Sequence, residues 1–195
     1  MQGRPLKSKK DRLPIMNAEY AKIVELTKRD KSIKSNTKKK LLRAYGLLYV
    51  FGARVSEITN MSIDDIQSIY SKKEFLLLET KSNKVQKLFI HEKGIDILKQ
   101  LDYSDCKTNL FYKNNSEESM SVTGFTKLIN RYLNKYLNVL YTSHSFRAGF
   151  ITRVIENTGD IKTAQKLARH TDISMTLRYQ SVSDKRIDDV LGQIF

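Results

Sequence analysis

Four separated stretches of this chain carry side chains suited to a phosphodiester. The first is Gly52-Ala53-Arg54-Val55-Ser56-Glu57. The second is Lys81, in the polar run Lys81-Ser82-Asn83-Lys84. The third is His144-Ser145-Phe146-Arg147. The fourth is Leu167-Ala168-Arg169-His170, with Arg178-Tyr179 following. Transesterification at phosphorus needs a nucleophile in line and fixed cations on the non-bridging oxygens, where negative charge builds. It also needs an acid for the leaving 5′ oxygen and a base for the nucleophile's proton. Arginine suits the clamp, because its planar fork stays charged and meets phosphate oxygens in two places. Lysine suits the acid, since its pKa can be lowered, and histidine can donate or shuttle a proton near neutral pH. Tyrosine suits the nucleophile, because a phenol phosphate ester retains the bond energy needed for religation. Such a scheme requires no metal.

Taken one at a time, these residues have ordinary readings. Arg54 and Glu57 stand at i, i+3 and can be a helix ion pair. Lys81 is one lysine among many. His144 and Arg147 share one helical turn, as surface residues or a satisfied core histidine also do. Tyr179 is one of ten tyrosines, and most tyrosines pack a ring and leave a polar tip. The combination and its order along the chain carry the weight.

The elements that must position these residues are mostly helical. Asn17 is an N-cap candidate for a helix with Tyr20, Ile23, Val24 and Thr27 on one side. A second helix starts near Thr37, repeats Leu41, Tyr45, Leu48 and Tyr49, and stops at Gly52. Phe75-Leu76-Leu77-Leu78 and Lys87-Leu88-Phe89-Ile90, with a polar turn between, read as a β-hairpin; a third strand is expected near Ile66 to Tyr70. Residues 94–101 form a short helix and 113–121 a polar loop. Phe125, Leu128, Ile129, Tyr132, Leu133 and Tyr136 follow helical spacing closely. A further helix from about Phe146 to Glu156 ends before Gly159, and Asp160 and Asp172 cap the two after it. Ile187, Val190, Leu191, Ile194 and Phe195 form a final apolar stripe. The fold class expected is α+β, mostly α, with a small antiparallel three-stranded sheet.

Charge narrows the partner. Lys and Arg number 35 against 21 Asp and Glu, a net charge of +14 that calls for a polyanion. No apolar run reaches the roughly 18 residues of a membrane span. The basic start, Met1 to Leu13, has no signal-peptide core, so an intracellular location is expected. Cys106 is the one cysteine, which excludes an internal disulfide, and it is given no role; no Cys/His cluster has metal-ligand spacing. No cofactor or metal is expected.

The ordered set resembles the tyrosine recombinase, or phage integrase, family. That family carries Gly-x-Arg-x-Ser-Glu, a hairpin Lys, His-x-x-Arg, Leu-Gly-His, and a Tyr nine residues after that last His. Here these are Gly52 to Glu57, Lys81, His144 with Arg147, His170, and Tyr179. The resemblance runs from about Leu13 to the C-terminus. It implies the DNA breaking-rejoining fold, with residues 1–13 as a basic arm or linker remnant and 14–195 as the catalytic domain. By the same resemblance Arg54 and Arg147 hold the scissile phosphate, and Lys81 protonates the 5′ oxygen. His144 and His170 assist with proton transfer and phosphate hydrogen bonds, Tyr179 forms a 3′-phosphotyrosyl link, and Glu57 orients its neighbours. The implied partner is double-stranded DNA, bound by a tetramer on two sites with the C-terminal helix docked on a neighbour. The implied location is the cytoplasm, at the nucleoid, in a bacterial or phage setting.

Three departures stand out. Arg169 takes the place of a frequent Gly, and Ala148-Gly149 that of a frequent His-Thr. Only the basic segment Gly3 to Arg12 stands where most members have a helical core-binding domain. A short member, similar to the fimbrial-switch invertases, and a shortened chain both fit. Lys84 competes with Lys81 for the hairpin position. Two rival functions are a type IB topoisomerase, which relaxes supercoils without recombinant product, and a non-catalytic DNA-binding regulator, which forms no covalent adduct.

Overall fold

The computed structural model describes residues 13–78, 85–113, 116 and 118–179. In order the elements are α1 (Asn17–Arg29), α2 (Ser35–Phe51), α3 (Val55–Ile58), α4 (Ile63–Lys72), β1 (Glu74–Leu78), β2 (Val85–Phe89), α5 (Glu92–Lys99), α6 (Val122–Tyr136), α7 (Ser143–Thr158), α8 (Ile161–Ala168) and α9 (Ser174–Leu177). The chain divides after Phe150 into two compact units. Among the described residues no helix is long and apolar enough to cross a membrane.

In the first unit α2 is the central helix. Leu41, Ala44, Tyr45, Leu47 and Leu48 on it are fully buried. Each large apolar side chain so buried contributes roughly 1.5–3 kcal/mol. Helix α1 packs on α2, with the Tyr20 and Tyr49 rings stacked at 3.9 Å. Phe125, Ile129 and Leu133 recur every fourth residue on α6 and are buried to the last atom, so its stripe points inward as the spacing predicts. Phe146 of α7 stacks on Tyr45 at 5.7 Å.

The hairpin pairs β1 with β2 antiparallel, Phe75 opposite Leu88 and Leu77 opposite Gln86. Phe75, Leu77 and Leu88 face the core, while Leu76, Val85 and Phe89 point outward, the period-two alternation of a half-buried sheet. The sheet has two described strands. The third strand expected near Ile66 to Tyr70 is instead helix α4. Ser62 accepts a bond from the Asp65 N–H, and Asp65 accepts one from the Ser62 N–H. That reciprocal cap commits the segment to a helix before Ile66 is reached. Ile66 and Ile69 then fall on one buried face.

A buried cation holds the long loop after α5. Arg43 is fully buried and donates to Asp105 Oδ1 at 2.5 Å and to the Leu110 carbonyl at 2.7 Å. It also touches the Cys106 sulfur. Burial drives the Asp105 carboxyl upward, but hydrogen bonds from Arg43 and Tyr112 outweigh it, and the carboxyl sits below its usual range. Burial pushes the Cys106 thiol up. Asp30 accepts from Lys135 at 2.5 Å and Tyr136 at 2.6 Å, tying the end of α1 to α6.

The second unit has small elements. Gly159, at φ +68°, ends α7, and Asp160 caps α8 through the Lys162 N–H, as expected. Ala164, Ala168 and Thr176 are its buried residues on α8 and α9.

Candidate active site

The first unit brings Arg54, His144 and Arg147 together. Helix α2 ends at Gly52 in the left-handed region, φ +57°, where a β-carbon would also meet the Phe150 ring at 2.5 Å. Glycine alone satisfies both conditions. The chain turns there into α3, with Arg54 at the N-cap position. Glu57 accepts from the Arg54 N–H at 2.6 Å and from its guanidinium at 2.9 Å. The ion pair that spacing allowed is therefore formed, and it is also a positioning device. Glu57 is 7% exposed and Arg54 40% exposed, so a buried carboxylate pins one edge of a guanidinium that still faces solvent.

A cavity of about 140 Å³ lies between Arg54, Val55 and Ser56 on one side and Val122, Thr126, Ser143 and His144 on the other. Its floor includes the start of α7. Asn130 of α6 accepts from the Ser143 N–H at 2.7 Å and fixes that start. One turn on, Arg147 is 6% exposed and donates to the Gly52 carbonyl at 3.0 Å. Arg54, His144 and the positive end of a sixteen-residue helix thus meet at this cavity, with Arg147 one turn behind. This is an anion-seeking arrangement with rigid donors.

The backbone at Ile15 crosses the same helix. Its N–H donates to the Ser145 carbonyl at 2.9 Å. A β-carbon at Gly149 would lie 2.0 Å from the Ile15 oxygen. The frequent Thr of the resembling family has no room at this position, so the Gly149 half of that departure fits the space available.

The second unit brings His170 and Tyr179 together. Helix α8 closes on Arg169, which takes φ +57°, ψ +42°. The arginine that replaces the frequent Gly thus stands in a conformation that favours glycine. Gln165 brackets the next residue: its carbonyl accepts the His170 N–H and its side-chain amide donates to the His170 carbonyl, both at 3.1 Å. Asp172 accepts from the Ser174 N–H and hydroxyl at 2.8 and 2.6 Å, and these bonds hold its carboxyl below the usual range. The chain therefore reverses, and the His170 and Tyr179 rings stack with centroids 6.5 Å apart and planes 20° apart. Nδ1 of His170 lies 2.9 Å from Thr176 Oγ1.

Lys81 and its competitor Lys84 lie outside the described residues, as does the stripe Ile187 to Phe195. Sequence reasoning passed over Thr176, Gln165 and Asn130. A hydroxyl or amide that bonds across a turn has no spacing signature; only Thr176, three residues before Tyr179 in a short helix, stood close enough to invite notice.

Residues 14–186 match the phage integrase family. This chain belongs to that family. Among its relatives, the tyrosine recombinase XerD of Staphylococcus haemolyticus is 31% identical over 158 residues, 75% of this chain and 52% of that protein. A tyrosine recombinase of Agathobacter rectalis is 28% identical over 151 residues, 74% of this chain and 48% of that one. The chain spans about half the length of the curated relatives it matches. The fold is likewise that of solved family structures. The XerA recombinase crystal structure aligns with a TM-score of 0.65 at 21% identity, over 93% of this chain and 65% of that one. The Tn1549 transposon integrase in complex with transposon right end DNA aligns at 0.69 with 17% identity, over 97% and 68%.

Proposed function

We propose that this chain carries the catalytic machinery of a site-specific DNA recombinase that cleaves and rejoins DNA through a 3′-phosphotyrosyl intermediate. The observation that supports this most is the cavity where Arg54 and His144 meet, with Arg147 one helical turn behind, in a chain of the phage integrase family. Arg54 and Arg147 would hold the two non-bridging oxygens, as donors fixed before charge develops. Tyr179 attacks phosphorus, Lys81 protonates the departing 5′ oxygen, and His144 and His170 serve proton transfer and phosphate hydrogen bonding. A 5′ hydroxyl of the partner strand then displaces Tyr179. The scheme uses no metal. The net charge of +14 suits double-stranded DNA, and family likeness favours a tetramer on two DNA sites, acting at intracellular DNA.

The test is a nicked suicide substrate incubated with the chain in chelator. Wild type traps a protease-resistant covalent adduct, and Tyr179→Phe forms none while binding DNA nearly as well. An adduct with the Phe variant assigns the nucleophile elsewhere. Adduct with supercoil relaxation and no strand exchange makes the chain a topoisomerase. Loss of the wild-type adduct in chelator alone refutes metal independence.

A further inference from the structure

His170 is 8% exposed and Thr176 fully buried. Their contact, Nδ1 to Oγ1 at 2.9 Å, is a hydrogen bond in which either atom can supply the proton. The choice decides what the other ring nitrogen does. If Nδ1–H donates, the neutral ring presents a bare Nε2, a base. If the hydroxyl donates, Nε2 carries the proton and the ring presents a donor. Burial favours one direction. A hydroxyl sealed from water gains by placing its proton on an acceptor, and Nδ1 is the acceptor described for it.

The surroundings hold that geometry. Thr176 sits in the middle of α9, its own N–H bonded to the Ile173 carbonyl at 2.8 Å. The Tyr179 N–H bonds back to the Thr176 carbonyl at 3.0 Å. One residue therefore touches the ring of His170 with its side chain and the backbone of Tyr179 with its carbonyl. Gln165 fixes the His170 main chain from the other side, so the ring has little freedom except rotation about its own bonds. The Thr176 hydroxyl removes that as well.

We infer that Thr176 is a positioning residue whose hydroxyl donates to Nδ1 and keeps neutral His170 in the Nε2–H form, a donor for a phosphate oxygen and not the acceptor of the Tyr179 proton. This rests on the recombinase reading for its consequence but not for the hydrogen bond itself. Two measurements on the whole chain separate them. Long-range proton–nitrogen correlation of the imidazoles, without DNA, shows His170 with a protonated Nε2 and an unprotonated Nδ1 in wild type and in Thr176→Ser. Thr176→Val loses that single pattern and gives tautomers in exchange. A protonated Nδ1 in neutral wild-type His170 overturns the inference, as does an unchanged pattern in Thr176→Val. In the second measurement Thr176→Val slows adduct formation on the nicked substrate by roughly tenfold or more at unchanged DNA affinity, and Thr176→Ser restores most of the rate. Equal rates in Val and wild type overturn the catalytic consequence. Wild type that forms no adduct at all refutes the recombinase reading, and the imidazole spectrum still decides the hydrogen bond.

Discussion

Arg147 and His170 are almost equally buried, at 6% and 8% exposure, yet they are held by different means. Arg147 stands on a sixteen-residue helix beside Phe146, which stacks in the core. Its guanidinium is received by a carbonyl 95 residues away. The hydrogen bonds described for His170 reach only five and six residues, to Gln165 and Thr176. Its elements are one helix of eight residues and one of four. The Arg147 group is thus held by a long-range bond within the first unit, while the bonds described for the histidine–tyrosine pair are local. Damage to a distant core should reach the first group, and only short-range changes should reach the second.

The largest effect expected is catalytic. Arg54→Ala and Arg147→Ala should each lower the cleavage rate on saturating DNA by about 3 kcal/mol or more, on the order of a hundredfold, since each removes one preorganised donor. Arg→Lys should rescue poorly for want of the planar fork. Near-normal cleavage by either alanine variant would remove that residue from the clamp.

The next effect is on stability. Arg43→Ala leaves Asp105 without its buried cation and should cost about 3 kcal/mol, measured by denaturant unfolding. The loss should appear as weakened protection of α2 and α6 amides, with the amides of Thr176 and Tyr179 unaffected. Equal loss in both regions would break the distinction between them.

A smaller effect of opposite sign is expected in the second unit. Arg169 sits at φ +57°, and Arg169→Gly relieves a strain of about 1 kcal/mol. Slower amide exchange at Thr176 and Tyr179 should report it. Faster exchange would mean that contacts of the arginine side chain outweigh the strain.

The smallest effect concerns acid. Hydrogen bonds from Lys135, Ser32 and Tyr136 hold the Asp30 carboxyl well below its usual range. A depressed carboxylate stabilises the fold above its unfolded pKa of about 3.9, and loses that contribution as pH falls through the folded value. Melting of Asp30→Asn and wild type should therefore differ at neutral pH, and the gap should narrow as pH falls from about 3.9 toward the depressed folded value. A gap that persists unchanged in acid would mean that Asp30 acts through packing.

These contrasts also explain what the amino-acid order revealed. Local signals were legible: the stripe on α6, the stop at Gly52, the hairpin, and the cap at Asp160; at α9 the N-cap position falls to Ile173, and the expected Asp172 bonds Ser174 from one residue before it. The motifs carrying Arg54, His144, Arg147, His170 and Tyr179 stand out in the sequence because their spacings are local within each motif. Helix α4 was misread because Ile66 to Tyr70 is short and carries Ile66, Ile69 and Tyr70, while the deciding cap at Ser62 and Asp65 lies just before it. Arg43 was invisible, since a lysine- and arginine-rich helix does not say which cation turns inward. Its partner Asp105 is 62 residues away. Thr176 was missed because a single hydroxyl in a turn has no period.

The crossing of Ile15 over Gly149 constrains how this chain can change over generations. The obstacle at Gly149 is a backbone oxygen at 2.0 Å, with the rest of the Ile15 peptide close behind. A side chain could swing away; a peptide anchored by its own bond to Ser145 cannot. Any residue acquired at 149 must therefore wait for a shift in the path of the chain near 15. Position 149 is thereby tied to the course of the chain at the other end of the first unit's sequence, and substitution at 149 is viable only on the background of a shift in that course.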